Sequence, residues 1–158
     1  SKLQAEQRIL ALESESFKVA ILRPPMIYGK GCKGNYRKLS KAAQVLPFFP
    51  DIDNERSMLH IDNLCEFVRL LIDNEDSGLF FPQNEEYVKT SDMVRLIAEI
   101  HNKKIRLTKL FNPILNRMFK INTVKKLFGN MIYDFNISVY KDNYQVNTLQ
   151  ESIKKTEI

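Results

Sequence analysis

The chain has 158 residues, with 24 Lys and Arg against 19 Asp and Glu for a formal charge of +5; 44% of residues are hydrophobic and 27% charged. That balance excludes a disordered or collagen-like chain, and the length suits one domain, or a piece of one, with a substantial core. Cys32 and Cys65 alone make neither a disulfide framework nor a zinc knuckle, so no metal site is expected; the apolar runs are too short to cross a bilayer, and the reading is a cytoplasmic protein.

The opening Ser1-Lys2-Leu3-Gln4-Ala5-Glu6 has no initiator Met and runs into a helical pattern with Leu3, Ile9 and Leu10 on one side, as in a chain cut inside a helix. Glu13 to Ser16 ends that helix, and Phe17 to Leu22 is an apolar run of strand length with the continuous burial of a parallel sheet. Helix followed by buried strand indicates an α/β fold. Arg23-Pro24-Pro25 must leave helical backbone, and Met26 to Gly29 leads into a loop with Gly31 and Gly34 that reads as a binding loop.

Asn35 to Val45 forms a basic helix, and Leu46 to Pro50 a short strand confined by its prolines to a sheet edge. After a turn at Asp51–Asn54, Ser57 to Ile61 is a strand, and Asp62 caps a helix whose Leu64, Phe67, Val68 and Leu71 recur with helical spacing. Leu79 to Phe81 is a strand; Thr90 or Ser91 caps a helix with Val94, Ile97, Ala98 and Ile100 inside. Asn112-Pro113 opens one long helix to Phe128, counting Ile114, Leu115, Met118, Phe119, Ile121, Val124 and Leu127 as apolar positions, with Gly129 as its stop. Charge is uneven. Between Ile100 and Tyr133 lie Lys103, Lys104, Arg106, Lys109, Arg117, Lys120, Lys125 and Lys126 with no acid, so the net positive charge is a local property.

Three blocks stand out by order and spacing: Ser1-Lys2 followed by Ala5-Glu6, then Leu22-Arg23-Pro24-Pro25-Met26-Ile27-Tyr28-Gly29, then His60-Ile61-Asp62-Asn63-Leu64. Together they resemble the C-terminal half of the extended short-chain dehydrogenase/reductase family, in its NAD-dependent nucleotide-sugar epimerase and dehydratase branch. The resemblance implies the last part of a Rossmann-type parallel sheet plus a small α/β substrate-binding domain. Residues 1–29 would close the nucleotide-binding domain, and residues 30–158 would be mainly the substrate domain, with about 57–82 returning to the nucleotide-binding domain.

The same resemblance makes Lys2 the active-site lysine that binds the nicotinamide ribose and lowers the pKa of a catalytic tyrosine four positions earlier, outside this chain. A phenol ionises near pH 10 unperturbed, so a neighbouring cation makes it a usable base. The main chain at Pro24 and Pro25 would contact the nicotinamide of NAD, and only the Pro24 carbonyl can serve there, because proline has no N–H. Met26 replaces an Asn with which many relatives hold a phosphate. The main NAD-binding glycine loop is absent from this chain.

For the substrate diphosphate the candidates are Arg56, whose guanidinium stays charged and can take two phosphate oxygens, and the acid-free cluster Lys30, Lys33 and Arg37 around the helix start at Asn35; Phe48 is counted with them. A solvated basic face is the alternative for the cluster, and an ion-paired surface residue the alternative for Arg56. His60 reads as satisfying a strand or turn hydrogen bond, and His101 as a helix-dipole partner. The basic helix 113–128 suits either core packing with a wet basic side or peripheral contact with an anionic membrane, the former preferred; no nucleic-acid module is visible. The favoured function is 4-epimerisation of a UDP-hexose through a keto intermediate, in polysaccharide biosynthesis, with a homodimeric parent enzyme and this chain alone inactive as further expectations. A keto-sugar reductase of the same fold or a non-catalytic basic docking module are the alternatives.

Overall fold

The computed structural model describes residues 1–118 and 120–158. The described elements, in chain order, are α1 (Lys2–Leu10), β1 (Ala20–Leu22), β2 (Met26–Tyr28), α2 (Asn35–Val45), β3 (Phe48–Pro50), β4 (Met58–His60), α3 (Ile61–Asp73), β5 (Gly78–Phe80), α4 (Thr90–Ile100), β6 (Arg106–Thr108), α5 (Asn112–Met118), α6 (Asn122–Phe128) and α7 (Leu149–Glu157). Every described strand pair is parallel: β1 with β5, β2 with β4 and β3 with β6. Parallel neighbours need a crossover, and helices supply it: α2 lies between β2 and β4, and α3 and α4 lie between β3 and β6, so the α/β expectation holds.

β4 organises the interior, because consecutive strand residues face opposite sides. Met58 joins a cluster with Tyr28, Tyr36, Leu39, Ala43, Phe49, Val94, Ile97 and Ile153, whereas Leu59 joins a second one with Phe67, Leu71 and Tyr144. In the first, α2 packs on α4 and α4 on α7. In the second, Phe67 receives Phe80, Tyr140 and Tyr144 edge-on at 5.8, 5.0 and 4.8 Å between ring centroids. Each such buried side chain contributes about 1.5–3 kcal/mol. Gly29 closes β2 with φ +156, where a Cβ would stand 2.3 Å from Ile61 Cγ2, so only glycine lets the chain leave β2 beside the start of α3.

Several expectations are corrected. Met26–Tyr28, expected as a lead-in to a loop, is a strand with β4 as its partner. Phe17 and Ala20 are exposed, rather than continuously buried, because β1 pairs with β5 alone among the described residues. His60, not Asp62, caps α3: its Nδ1 accepts from the Asp62 amide at 3.3 Å. Asn63 takes the inner position that Val68 was expected to share. Lys89 caps α4, because the Thr90 hydroxyl is already engaged, accepting from Asn54 Nδ2 at 2.9 Å and donating to the Leu127 carbonyl at 2.9 Å.

The long helix 113–128 is two helices. Ile121 is extended (φ −83, ψ 120) as the cap of α6, and its N–H donates to the Met118 carbonyl at 2.8 Å. Leu127 and Phe128 pack on the first cluster, Phe128 lying 5.8 Å from Phe49, which anchors the end of α6. Phe119 lies outside the described residues.

Candidate functional site

The first site element is the junction of α1 and β1. Lys2 is exposed in the first turn of α1, and Glu6 lies one turn on, on the same side. The Glu6 carboxylate accepts from Arg23 Nε at 3.3 Å and from Arg23 Nη2, which ties α1 to the carboxyl end of β1 just before Pro24 and the buried Pro25. Hydrogen bonding to Arg23 holds the Glu6 carboxyl below the usual range, so the tie is charged at neutral pH. The carboxyl end of a parallel strand is where open α/β sheets place ligands.

The second element is a cavity of about 480 Å³ lined by Met26, Asn35, Arg56, Asn122, Lys125, Lys126, Asn130 and Met131. It forms because the segment after α6 lies alongside the approach to β4: the Ser57 amide donates to Met131 O at 2.8 Å and the Met131 amide to Glu55 O at 3.1 Å. Arg56 is only 5% exposed. Its Nη1 donates to the Gly129 carbonyl at 2.7 Å, and among the described residues no carboxylate pairs with it. Burial lowers its pKa from the ordinary arginine value, yet a guanidinium stays charged at any physiological pH. A buried cation with donors to spare, flanked by Lys125, Lys126 and three amide side chains and by no acid, is built to take an oxyanion. Asn35 is the first residue of α2, so a helix N-terminus also borders the cavity.

The residues expected at the substrate do not all converge. Asn35 and Arg56 share this cavity. Arg37 instead lines a separate cavity of about 450 Å³ with Gly29, Cys32, Tyr36, Lys41 and His101. Lys30 donates to the Ile158 carbonyl at 2.9 Å, Lys33 is exposed, and Phe48 is exposed on β3. Sequence reasoning missed Asn122, Lys125, Lys126 and Asn130, and assigned the two lysines to a packing or surface helix. The available signal was the absence of any acid from residue 101 to residue 133, which did not say where the cations point.

A buried polar network holds the strand ends at this site. Asn84 Oδ1 accepts from the His60 amide at 3.0 Å and from Asn63 Nδ2 at 2.9 Å, and Asn84 Nδ2 donates to Tyr28 Oη at 3.1 Å. Tyr28 Oη lies 2.5 Å from Ser152 Oγ of α7, and the Asn147 amide donates to Asn63 Oδ1 at 3.0 Å. Burial raises the Tyr28 pKa and lowers that of His60, so both are neutral and structural. His101 Nε2 lies 2.7 Å from Glu157 Oε2, bridging the end of α4 to α7.

No known protein-family profile matches the chain. It is 31% identical over 172 aligned residues to a UDP-glucose 4-epimerase of Vibrio cholerae, covering 99% of this chain and 51% of that protein. The chain therefore spans about half the length of this curated relative. Among solved structures it is similar to human epimerase family protein SDR39U1 with NADPH (TM-score 0.64, 12% identity, 99% of this chain and 54% of the other). It is also similar to a Thermus thermophilus UDP-glucose 4-epimerase in complex with NAD (TM-score 0.61, 14% identity, 96% and 50%). At these identities the structural likeness is one of fold.

Proposed function

Because the chain belongs to the extended short-chain dehydrogenase/reductase family, in its epimerase branch, we propose that it is the C-terminal part of a nicotinamide-dependent nucleotide-sugar epimerase that inverts C4 of a UDP-hexose. The observation that carries this reading is Arg56, a buried guanidinium without a carboxylate partner among the described residues, facing a cation-lined cavity. Arg56 with Lys125 and Lys126 neutralises the substrate diphosphate, and Asn35, Asn122 and Asn130 supply the amide contacts for which Met26 is unsuited. Met26 and Met131 form the apolar wall.

At the other element, Lys2 and the main chain at Pro24–Pro25 are the residues that fit the nicotinamide end of NAD, since the Glu6–Arg23 tie sets helix and strand end side by side. The cofactor supplies a hydride acceptor and donor for C4. Lys2 would hold the cofactor ribose and favour the phenolate of the tyrosine expected four positions before it, which would take the proton of the C4 hydroxyl. Rotation of the keto sugar before its reduction inverts the centre. Residues 1–29 then finish the nucleotide-binding domain, with about 57–82 returning to it, and 30–158 are mainly the substrate domain.

Calorimetry on this chain tests the reading. Saturable heat is expected with UDP-glucose and none with NAD, because the chain's five glycines include no Gly-x-x-Gly-x-x-Gly loop to meet the cofactor pyrophosphate. Binding of NAD without binding of UDP-glucose would overturn the assignment of the two sites.

A further inference from the structure

We propose that the segment from Lys109 to Ile121 docks this protein on an anionic lipid bilayer surface. After β6 the chain makes a short 3₁₀ turn, Lys109–Phe111, and then α5. Leu110, Phe111, Ile114, Met118 and Ile121 are all exposed, Leu110 by 78% and Ile114 by 61%. Ile121 lies beyond the end of α5 as the extended cap of α6, whereas Leu110, Phe111, Ile114 and Met118 follow helical spacing along the 3₁₀ turn and α5. These side chains therefore make one apolar stripe along the segment, while Leu115 and Asn112 lie on its half-buried side, where Asn112 Nδ2 donates to the Asp51 carbonyl at 2.8 Å.

Charge identifies the occupant. Lys109, Arg117 and Lys120 are exposed beside the stripe, and none has an ion-pair partner among the described residues. The whole stretch 101–133 holds eight of the 24 basic residues and none of the 19 acids, so the rest of the chain is net negative. Exposed apolar side chains with three such unpaired cations in the same segment match a lipid surface that offers hydrocarbon below a plane of phosphates, Asp51 and Asp53 being the acids that stand beside its Lys109 end. Other exposed apolar groups lack this signature: Leu3, Ile9 and Leu10 of α1 sit among Glu6, Arg8 and Glu13, and Ile72 of α3 sits beside Asp73 and Glu75. No helix among the described residues is long and apolar enough to cross a membrane, so the mode is to lie on the surface. The inference does not depend on the identity of the sugar nucleotide.

Co-sedimentation of the chain with phosphatidylcholine vesicles, with and without phosphatidylglycerol, tests it. Binding is expected only with phosphatidylglycerol and should weaken with salt. Leu110→Ser with Ile114→Ser, both at exposed positions that leave the core untouched, should lower partitioning at least tenfold. Lys109→Gln with Arg117→Gln should lower it about thirtyfold, which is the roughly 2 kcal/mol that two cations contribute at an anionic surface. Equal sedimentation with neutral vesicles, or full binding by the serine pair, would overturn the proposal. So would a concentration-dependent dimer that the serine pair dissolves, since the stripe would then be a contact between copies.

Discussion

Replacing Arg56 by Ala removes the only buried arginine among the described residues while leaving an accessible cavity of about 480 Å³ in place. The guanidinium offers five N–H donors, and the structure uses one on the Gly129 carbonyl at 2.7 Å. A diphosphate oxygen taking a single charged hydrogen bond from the remainder gains about 1.5–3 kcal/mol, so Arg56→Ala should raise the Kd for UDP-glucose roughly 10- to 150-fold. Arg56→Lys keeps the charge but loses the planar fork and should fall between wild type and Ala. Calorimetry with UDP-glucose, UDP and uridine reads the effect, and the loss should vanish for uridine, which has no phosphate. A chemical-denaturation midpoint measured in parallel separates binding from the loss of the Gly129 bond. An Arg56→Ala chain that stays folded and binds UDP-glucose as tightly as wild type would refute the assignment.

Lys125→Ala with Lys126→Ala should also weaken UDP-glucose binding, by about three- to tenfold and with a smaller salt dependence in titration calorimetry, because both line the Arg56 cavity. His60 is held neutral by burial, against the opposing pull of Asp62 and with the support of Lys155. Its stabilising contribution is therefore complete above the unfolded value of about 6.5 and is lost as pH falls towards the lower folded value; urea midpoints should drop over that range, and His60→Asn should flatten the dependence. Gly29→Ala should destabilise by about 2 kcal/mol or more in urea titrations, since the added Cβ would stand 2.3 Å from Ile61 Cγ2 at φ +156. The proposed function further expects that, in a full-length protein carrying this chain, Lys2→Met cuts turnover and moves the alkaline limb of the pH–rate profile upward, because the proposed tyrosine would lose its cationic neighbour.

What could be read from the sequence was whatever short spacing encodes. The helix 35–45, the helix ending near residue 100, the strand pieces at 48–50 and 58–60 and the α/β class follow from apolar periodicity and punctuation by Pro and Gly, which are local properties. The family blocks were legible for the same reason, each being a compact string. Tertiary structure decided the rest. Met26–Tyr28 is a strand only because β4, some thirty residues on, supplies its hydrogen-bonding partner. Lys89 replaces Thr90 as a cap because Asn54 and Leu127, both distant in sequence, claim the threonine hydroxyl. The single helix expected at 113–128 is interrupted at Ile121, and at the end of α6 Leu127 and Phe128 pack on the first cluster, Phe128 against Phe49. That same break carries Lys125 and Lys126 to Arg56. Charge run and arginine were each visible in the sequence, but their meeting depends on main-chain pairing between residues 55–57 and 131, a long-range contact that no local pattern encodes.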